Sequence, residues 1–348
     1  MKGAWALDEM RAEFSSSVTE KDFRELAHRE SLRVLQCSNH FREEVWKLAN
    51  EVFFSTRPDV ELRVYGHYAS GCNLGFARLL PNVRRFAADC LLSATGVDAI
   101  AELHSLESLT IGIHDLTDFS ILGRVSPELK TLGLGATQSK KLSLAPLSRF
   151  RSLHVLYIEG HTRDIQVLSH LKELQQVTLR SVTTEDLSYL KPLRKLWSLE
   201  IKLGGIRSFA GIEENESIKY LELWQVRKLG NVDVVGSLHG MQNLSLQSLP
   251  NVNSLPELGA NRVLRRIYLE NLKGLRNFAK LESAPALEEF MLVDGRSQVP
   301  QQLIPVLRNH SVHKVCASFG SNVKNNAFVH LREEYKKSPF FWEPFQYR

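Results

Sequence analysis

A short apolar motif that returns at a near-constant interval limits the possible folds of this chain more than any other feature. The motif is L-x-x-L-x-L, as in "IKYLEL" from Ile218 to Leu223, and it starts again every 21 to 25 residues. Its starts are Val83, Leu106, Leu129, Leu153, Leu174, Leu196, Ile218, Met241, Leu264, Leu287 and Val312, with degenerate copies from Asp59 and Leu32. A fixed period of about 20 to 50 residues is typical of architectures in which each unit packs only on its neighbours.

Each motif predicts a β-strand with one buried face. In "SIKYLELWQV" the apolar residues Leu221 and Leu223 alternate with Tyr220, Glu222 and Trp224. Residues two apart in a strand share a face, so the two leucines would point into a core. The tyrosine, the glutamate and the tryptophan would then point together out of it.

After the strands, apolar residues recur at every third position. Examples are positions 187, 190 and 193 in "EDLSYLKPLRKL" and positions 252, 255 and 258 in "PNVNSLPELGAN". This spacing favours a tight turn or a short helical segment. Together the two patterns resemble leucine-rich repeats of the stand-alone bacterial type, with a period of about 22 to 23 residues. The resemblance implies an α/β solenoid. In full, it implies a leucine-rich-repeat horseshoe with a parallel concave sheet, short helical or irregular convex segments, and helical N- and C-terminal caps.

One position departs from the pattern of that family. Its members usually carry asparagine in the turn after the strand, whereas this chain has Val182, Val226, Leu249 and Leu272 there. The departure leaves the subfamily open and does not change the expected fold.

Three segments are expected along the chain. Residues 1–58 are predicted to form an N-terminal helical cap, with or without a degenerate first repeat at Leu32. Residues 59–317 form the repeat array, and residues 318–348 hold a C-terminal helix and an aromatic capping tail. Within the caps, the apolar spacing predicts helices around Leu7, Met10 and Phe14, after Thr19, from Phe41 to Val52, and from Phe328 to Tyr335.

Composition narrows the class of protein. The net charge of +5, from 44 basic and 39 acidic side chains, is too mild for a dedicated nucleic-acid binder. No stretch of about 18 apolar residues predicts a membrane span, so no membrane association is expected. Cys37, Cys72, Cys90 and Cys316 are scattered without a CxxC pair, which favours reduced thiols and a cytoplasmic location.

The residues that would line the concave face concentrate aromatic and charged side chains. The predicted partner-binding residues are Tyr157, Glu159, Arg180, Glu200, Lys202, Tyr220, Glu222, Trp224, Tyr268 and Glu270. Aromatic anchors among charged groups are typical of protein-binding hot spots. Acidic side chains outnumber basic ones on this face, with five glutamates and three basic residues between residues 157 and 289. The alternative is a solvated surface whose side chains contact only their cross-strand neighbours.

Motifs for catalysis or cofactors are not expected to be functional here. "GLGATQSKK", from Gly133 to Lys141, lacks the spacing of a phosphate loop, so its glycines are predicted to relieve crowding. His310 and His313 have no further ligand at metal-binding spacing. Cys316 has no identifiable base beside it. The sequence therefore predicts no enzyme, no cofactor, no metal and no small-molecule substrate.

The expected function is protein–protein interaction through the concave face. The resemblance implies roles such as neutralising a toxin (immunity-like) or acting as an effector or adaptor. Basic pairs outside the strands, such as Lys140-Lys141 and Arg227-Lys228, leave nucleic-acid binding as an alternative. An enzyme with an unrecognised site is the less favoured one.

The aromatic tail, residues 339–348, contains Phe340, Phe341, Trp342, Phe345 and Tyr347. So much apolar surface is rarely left in water. The tail is expected either to fold back over the last coils near residues 292 and 315, or to be a detachable peptide. In the second case it would dock on a partner or on another copy of the chain.

Overall fold

The computed structural model describes residues 3–66, 71–213 and 215–348. The chain divides into two compact units, Met1–Glu173 and Leu174–Arg348, and each is described by itself.

The first unit is built on one sheet in which a strand recurs with each repeat. Its order is β1-β2-β3-β4-β6-β8-β9-β10, parallel throughout except for the antiparallel pair β1–β2. β5 and β7 form a separate small pair. The strands are β1 (Ala4–Ala6), β2 (Arg11–Phe14), β3 (Val34–Cys37), β4 (Glu61–Tyr65), β5 (Cys72–Asn73), β6 (Arg85–Leu91), β7 (Ala94–Thr95), β8 (Ser108–Ile113), β9 (Thr131–Leu134) and β10 (Val155–Glu159).

Short helical segments connect these strands on the other side of the core. They are α1 (Glu20–Ala27), α2 (Glu43–Leu48), a π-helical turn (Ala49–Phe54), and 3-10 turns at Leu74–Leu79, Val97–Glu102, Ser120–Gly123, Ala145–Arg149 and Ile165–His170. The predicted start of α1 is confirmed. Thr19 accepts a hydrogen bond from the Asp22 backbone, and the Asp22 carboxylate accepts one from the Thr19 N–H, which closes a capping box.

The helix predicted around Leu7, Met10 and Phe14 is wrong, because β1 and β2 form a hairpin there. The side chain of Asp8 accepts hydrogen bonds from the backbone N–H groups of Met10 and Arg11, at 2.9 and 2.8 Å. These bonds stabilise a turn in place of a helical course. Phe14 is fully buried, as an alternating strand requires.

The second unit repeats the same plan. Its sheet has the order β11-β13-β15-β16-β17-β18-β19-β20, with parallel pairing throughout, and β12 pairs separately with β14. The strands are β11 (Gln176–Arg180), β12 (Thr183–Thr184), β13 (Ser198–Lys202), β14 (Gly205–Ile206), β15 (Tyr220–Trp224), β16 (Asn243–Gln247), β17 (Arg266–Glu270), β18 (Glu289–Val293), β19 (Lys314–Ala317) and β20 (Ser338–Pro339).

The connections of the second unit are short and partly irregular. They contain α3 (Val234–Ser237), α4 (Ile304–Arg308), α5 (Asn322–Glu334), and 3-10 turns at Ser188–Leu190, Ala279–Leu281 and Pro300–Leu303. The apolar triplet at 187, 190 and 193 coincides with a helical turn. The triplet at 252, 255 and 258 is buried but irregular, since Pro250 and Pro256 interrupt regular hydrogen bonding.

The strand phase predicted from the motif is confirmed. In β15 the side chains of Leu221 and Leu223 are fully buried, and those of Tyr220 and Trp224 are half-buried on the opposite face. Each fully buried leucine contributes about 1.5 to 3 kcal/mol to folding. Stacked coils bury the apolar row of one strand against the next, which no single coil could do alone.

The turns after five strands of the second unit explain why the usual asparagine is dispensable there. The residue that follows β11, β13, β15, β16 or β17 is left-handed, with φ between 49° and 57°. In that conformation its N–H donates to the last strand carbonyl of the next coil, at 2.7 to 3.0 Å. The residues concerned are Ser181, Leu203, Gln225, Ser248 and Asn271. Backbone bonds therefore link successive coils, and the next side chain, such as Val226, is free to enter the core.

Candidate functional site

The side chains that point away from the buried leucines of the second unit form three rows, called here the open face. Strand register places one residue of each of β11, β13, β15, β16, β17 and β18 in each row, and β19 adds one residue to the first and middle rows. The first row is Gln176, Ser198, Tyr220, Asn243, Arg266, Glu289 and Lys314. The middle row is Thr178, Glu200, Glu222, Ser245, Tyr268, Met291 and Cys316. The last row is Arg180, Lys202, Trp224, Gln247, Glu270 and Val293.

The ten predicted partner-binding residues divide between the two units. Tyr157 and Glu159 lie on β10 of the first unit, and the other eight lie on the open face of the second. Most are half-buried, and Glu222 is the most enclosed, with 8% of its surface exposed. They therefore point away from the core as the alternation predicts, while their role in binding stays a prediction.

A tyrosine paired with a glutamate two residues later recurs on three strands. The hydroxyl of Tyr220 donates to Glu222 at 3.0 Å, that of Tyr157 donates to Glu159 at 2.9 Å, and that of Tyr268 donates to Glu270. Burial, followed by the charges of Glu222 and Glu200, raises the pKa of Tyr220 far above its ordinary value. Burial and the bond to Glu270 do the same for the pKa of Tyr268. The two phenols stay protonated donors that hold their carboxylates in place.

Lys202 joins two of these carboxylates across neighbouring strands. Its Nζ lies 2.7 Å from Glu200 Oε2 and 3.1 Å from Glu222 Oε2. Burial opposes the lysine charge, but the hydrogen bonds and charges of the two glutamates outweigh it and raise the pKa of Lys202. The opposite oxygen of Glu222 accepts from Gln247 Nε2 at 3.0 Å. The centre of the open face is thus an ordered, charged cluster.

The last row carries the largest aromatic group of the cluster. The guanidinium of Arg180 lies 5.8 Å from the ring centre of Trp224, within the range of a cation–π contact. Lys202 stands between them in the strand register. A half-buried tryptophan held beside two cations offers a partner a fixed apolar surface with a charged rim.

The tail begins at the sheet edge and then runs over the open face. Ser338 and Pro339 pair with Lys314 and Val315 of β19, and the ring of Phe340 is buried, with 5% exposed. Beyond it, Phe341 and Trp342 are 73% and 69% exposed. The chain continues past β18, β17, β16 and β15 to β13, crossing the starts of these strands.

Aromatic rings of the tail surround Arg266 of the first row. The guanidinium lies 5.0 Å from the ring centres of Phe340 and Phe345 and 5.6 Å from that of Trp342. Trp342 also meets Tyr268 edge to face at 5.9 Å. Tyr268 is therefore the predicted site residue that the tail contacts through its ring.

The polar contacts of the tail are made largely by the residues just before the strands. These four residues, Trp197, Lys219, Gln242 and Arg265, are called the edge row. Three of them, Lys219, Gln242 and Arg265, donate together with Arg266 to main-chain oxygens of the tail. The pairs are Arg266 Nη1 to Glu343 O (2.9 Å), Gln242 Nε2 to Arg348 O (2.6 Å), Lys219 Nζ to Arg348 O (2.9 Å) and Arg265 Nη2 to Gln346 O. The rings of Tyr347 and Trp197 are tilted by 58° to each other, with ring centres 5.1 Å apart.

The motifs rejected from the sequence have structural roles. A Cβ on Gly135 would lie 2.9 Å from the Gly112 Cα, and one on Gly133 would meet Thr110 at 3.0 Å, so the expected crowding is confirmed. Burial raises the pKa of the Cys316 thiol and outweighs the effect of Arg332. Within residues 3–66, 71–213 and 215–348, no cluster of three or more His, Cys, Asp or Glu side chains could hold a metal ion. In the same residues, every helix is too short or too polar to span a bilayer.

Basic side chains outside the open face meet at the turns that follow the strands. Arg227, Lys228 and Lys273 line one cavity of about 370 Å³, beside Leu203 and Gln225. This placement at the turns agrees with the expectation from the sequence.

The fold of this chain is similar to that of several solved structures. No protein-family model matches the sequence, and no curated protein matches it. Among solved structures, an internalin from Listeria monocytogenes matches with a TM-score of 0.57 and 16% identity, over 88% of this chain and 90% of that one. A leucine-rich-repeat protein from Leptospira interrogans matches with a TM-score of 0.53 and 14% identity, over 94% and 93%.

A chain in the Toll–Spatzle complex of Drosophila matches with a TM-score of 0.58 and 12% identity, over 88% of this chain and 43% of that one. These structural relatives are leucine-rich-repeat proteins, and the repeat, the parallel sheet and the short connections agree with them. The fold of this chain is therefore the leucine-rich-repeat solenoid.

Proposed function

We propose that this chain is a protein-binding module, without catalytic activity, whose recognition surface is the middle and last rows of the open face. The observation that carries the proposal is the ordered cluster of Arg180, Lys202, Glu222 and Trp224, in which a half-buried aromatic ring is fixed among charges. Such anchors dominate binding energies at protein interfaces. Repeat solenoids commonly use an extended sheet face in this way.

The structural relatives add a fold-level analogy to this proposal. One of them is seen in a complex between Toll and Spatzle. Because fold alone does not determine function, the analogy supports binding in general. A toxin-neutralising or adaptor role in the cytoplasm is the specific form we propose, on the sequence resemblance.

The test compares Trp224→Ala with the wild-type chain. Tagged protein captures its partner from the native source, mass spectrometry identifies that partner, and titration with the purified partner gives the dissociation constant. Loss of an aromatic anchor weakens binding by about 2 kcal/mol or more, which is roughly 30-fold. Trp5→Ala is the matched control, since Trp5 lies in the first unit and is 38% exposed. It should leave the dissociation constant unchanged.

Two results would contradict the proposal. Equal affinities of wild-type and Trp224→Ala protein for the partner would contradict recognition by the middle and last rows of the open face. Capture of nucleic acid alone, with affinity that falls steeply as salt rises, would favour the basic flank at Arg227, Lys228 and Lys273.

A further inference from the structure

The way the tail is held differs from the way the rest of the chain is held. As far as Pro339 the backbone pairs with β19 as a strand does. From Phe340 onward, the bonds described above come from side chains of the sheet, and the segment crosses the strands. The tail therefore lies on the open face as a ligand would, in an extended course favoured by Pro339 and Pro344.

We propose that the edge row and first row form a docking groove for an extended aromatic peptide segment of a partner protein, and that the chain's own tail is its resident occupant. This proposal rests on the proposed protein-binding function and adds the kind of partner. The partner segment replaces the tail, so the tail competes with it.

The groove contacts features that any peptide has. Arg265 and Arg266 donate to the main-chain carbonyl oxygens of Gln346 and Glu343, and Gln242 and Lys219 donate to a main-chain oxygen of Arg348. Asn243 adds a bond to a side chain of the tail, from its Nδ2 to the Tyr347 hydroxyl at 3.2 Å. Main-chain recognition of this kind gives affinity that does not depend on the sequence of the peptide. A second polypeptide with a similar course can therefore satisfy the same donors.

The groove selects its ligand through the aromatic side chains of that ligand, which contact Arg266 and Trp197. Arg266 is surrounded by rings at positions 340, 342 and 345, and Trp197 receives the ring at 347. A ligand with aromatic residues at this spacing, i, i+2, i+5 and i+7, reproduces these contacts. The cations lining the groove also favour an acidic residue at the place of Glu343, whose carboxylate lies 3.7 Å from Lys314 Nζ. The matching segment is thus aromatic, extended and neutral to acidic.

The burial pattern shows that most of the tail can leave without unfolding a coil. Only Phe340, next to β20, is buried, whereas Phe341 and Trp342 are largely in water. The leucines beneath the sheet, such as Leu244 and Leu269, are covered by neighbouring coils and do not depend on the tail. Release beyond Phe340 therefore loses surface contacts and leaves the core intact.

The experiment measures binding of a fluorescein-labelled synthetic peptide with the sequence of residues 337–348 to the full chain. A tethered occupant acts at an effective concentration on the order of millimolar, so the wild-type chain should bind the free peptide weakly. The variant Phe345→Ala with Tyr347→Ala weakens the resident tail and should bind the peptide at least about tenfold more tightly. A scrambled peptide of the same composition is the control for non-specific attachment.

Adding Arg265→Ala to the double variant should abolish the gain, because that residue touches both Phe345 and the Gln346 carbonyl. Hydrogen exchange of the wild-type chain gives a second measurement that needs no variant. Excess unlabelled peptide should speed exchange in residues 341–348 if it displaces the tail.

Three results would overturn the proposal. Unchanged peptide affinity in the double variant, or unchanged exchange of the tail with excess peptide, would make the tail a fixed part of the fold. A concentration-dependent dimer of the double variant that blocks the peptide would make a second copy the occupant. The peptide assay and the Trp224→Ala assay report on different rows, so failure of one proposal is distinguishable from failure of the other.

Discussion

Replacing Lys202 by methionine tests whether the charged cluster of the open face is energetically coupled. The side chains of Lys202 and Glu222 are 21% and 10% exposed, and the lysine is the cation shared by Glu200 and Glu222. The two carboxylate oxygens lie at most 5.8 Å apart, the sum of their distances to the lysine. Without the lysine, two negative charges at this separation repel by about 3 kcal/mol at an effective dielectric constant of about 20.

The pH dependence follows from this repulsion. Protonation of either carboxylate removes the repulsion, and it does so at a cost that is lower in the folded variant than in the unfolded chain. The folded variant therefore binds a proton that the unfolded chain has lost, so its stability falls as pH rises across the carboxylate range. We expect the repulsive deficit relative to wild type to be smaller at pH 5 than above pH 7, where it reaches about 3 kcal/mol.

The stability of the wild-type chain also falls as pH rises, but it does so at the alkaline end. The pKa of Lys202 is raised in the folded state, so its stabilising contribution is fully present below the unfolded pKa of about 10.4. That contribution is lost as pH rises through the folded pKa.

Urea unfolding followed by far-UV circular dichroism at pH 5, 7 and 8.5 measures the deficit. Arg207→Met is the matched control, since Arg207 and Glu185 form an ion pair whose side chains are 77% and 73% exposed. Its loss should change the free energy of unfolding by about 0.5 kcal/mol or less. A Lys202→Met deficit that is equal at pH 5 and pH 8.5 would refute the reasoning.

Three further substitutions test the packing. Leu221→Ala removes a fully buried leucine and should destabilise by roughly 2 to 5 kcal/mol in urea unfolding; a loss below 1 kcal/mol would contradict the strand phase. Asn309→Ala removes an amide that donates to the carbonyls of Leu281 and Ala284, at 2.8 Å each. The free energy of unfolding should fall by about 2 kcal/mol, and an unchanged urea midpoint would show that water replaces the amide. Phe340→Ala should lower the melting temperature by roughly 5 to 10 °C, and an unchanged melting curve would show that this ring is not needed.

The sequence predicted the repeat plan well because that plan depends on local pattern. A buried leucine at every second strand position, repeated at a fixed interval, can be recognised without knowing any long-range contact. The N-terminal segment shows the limit of the same reasoning. Leu7, Met10 and Phe14 have spacings of three and four, which fit a helix, but the hydrogen bonds of Asp8 close a turn instead. Short apolar segments are ambiguous in this way.

The open face was predictable only in part. Alternation with the leucines places Trp224 and Lys202 outside the core, and the recurring Y-x-E sequence is a signal that could have predicted the tyrosine–glutamate pairs. The bond from Lys219 to the Arg348 carbonyl joins residues 129 positions apart. No local pattern predicts where the tail lies, so the edge row was missed. The edge row can be identified only from the structure, in which the tail crosses the strands.

The left-handed turns that follow β11, β13, β15, β16 and β17 bear on how such a chain would respond to selection for heat tolerance. A leucine at Leu203, with φ of 57°, is held in a conformation that favours glycine or asparagine. Replacement of such a residue by glycine or asparagine typically raises the free energy of unfolding by about 0.5 to 1 kcal/mol, without altering the core or the open face. Populations grown at rising temperature would therefore be expected to accumulate changes at these turns first. Since neighbouring turns share backbone bonds, the gains of adjacent replacements would not simply add.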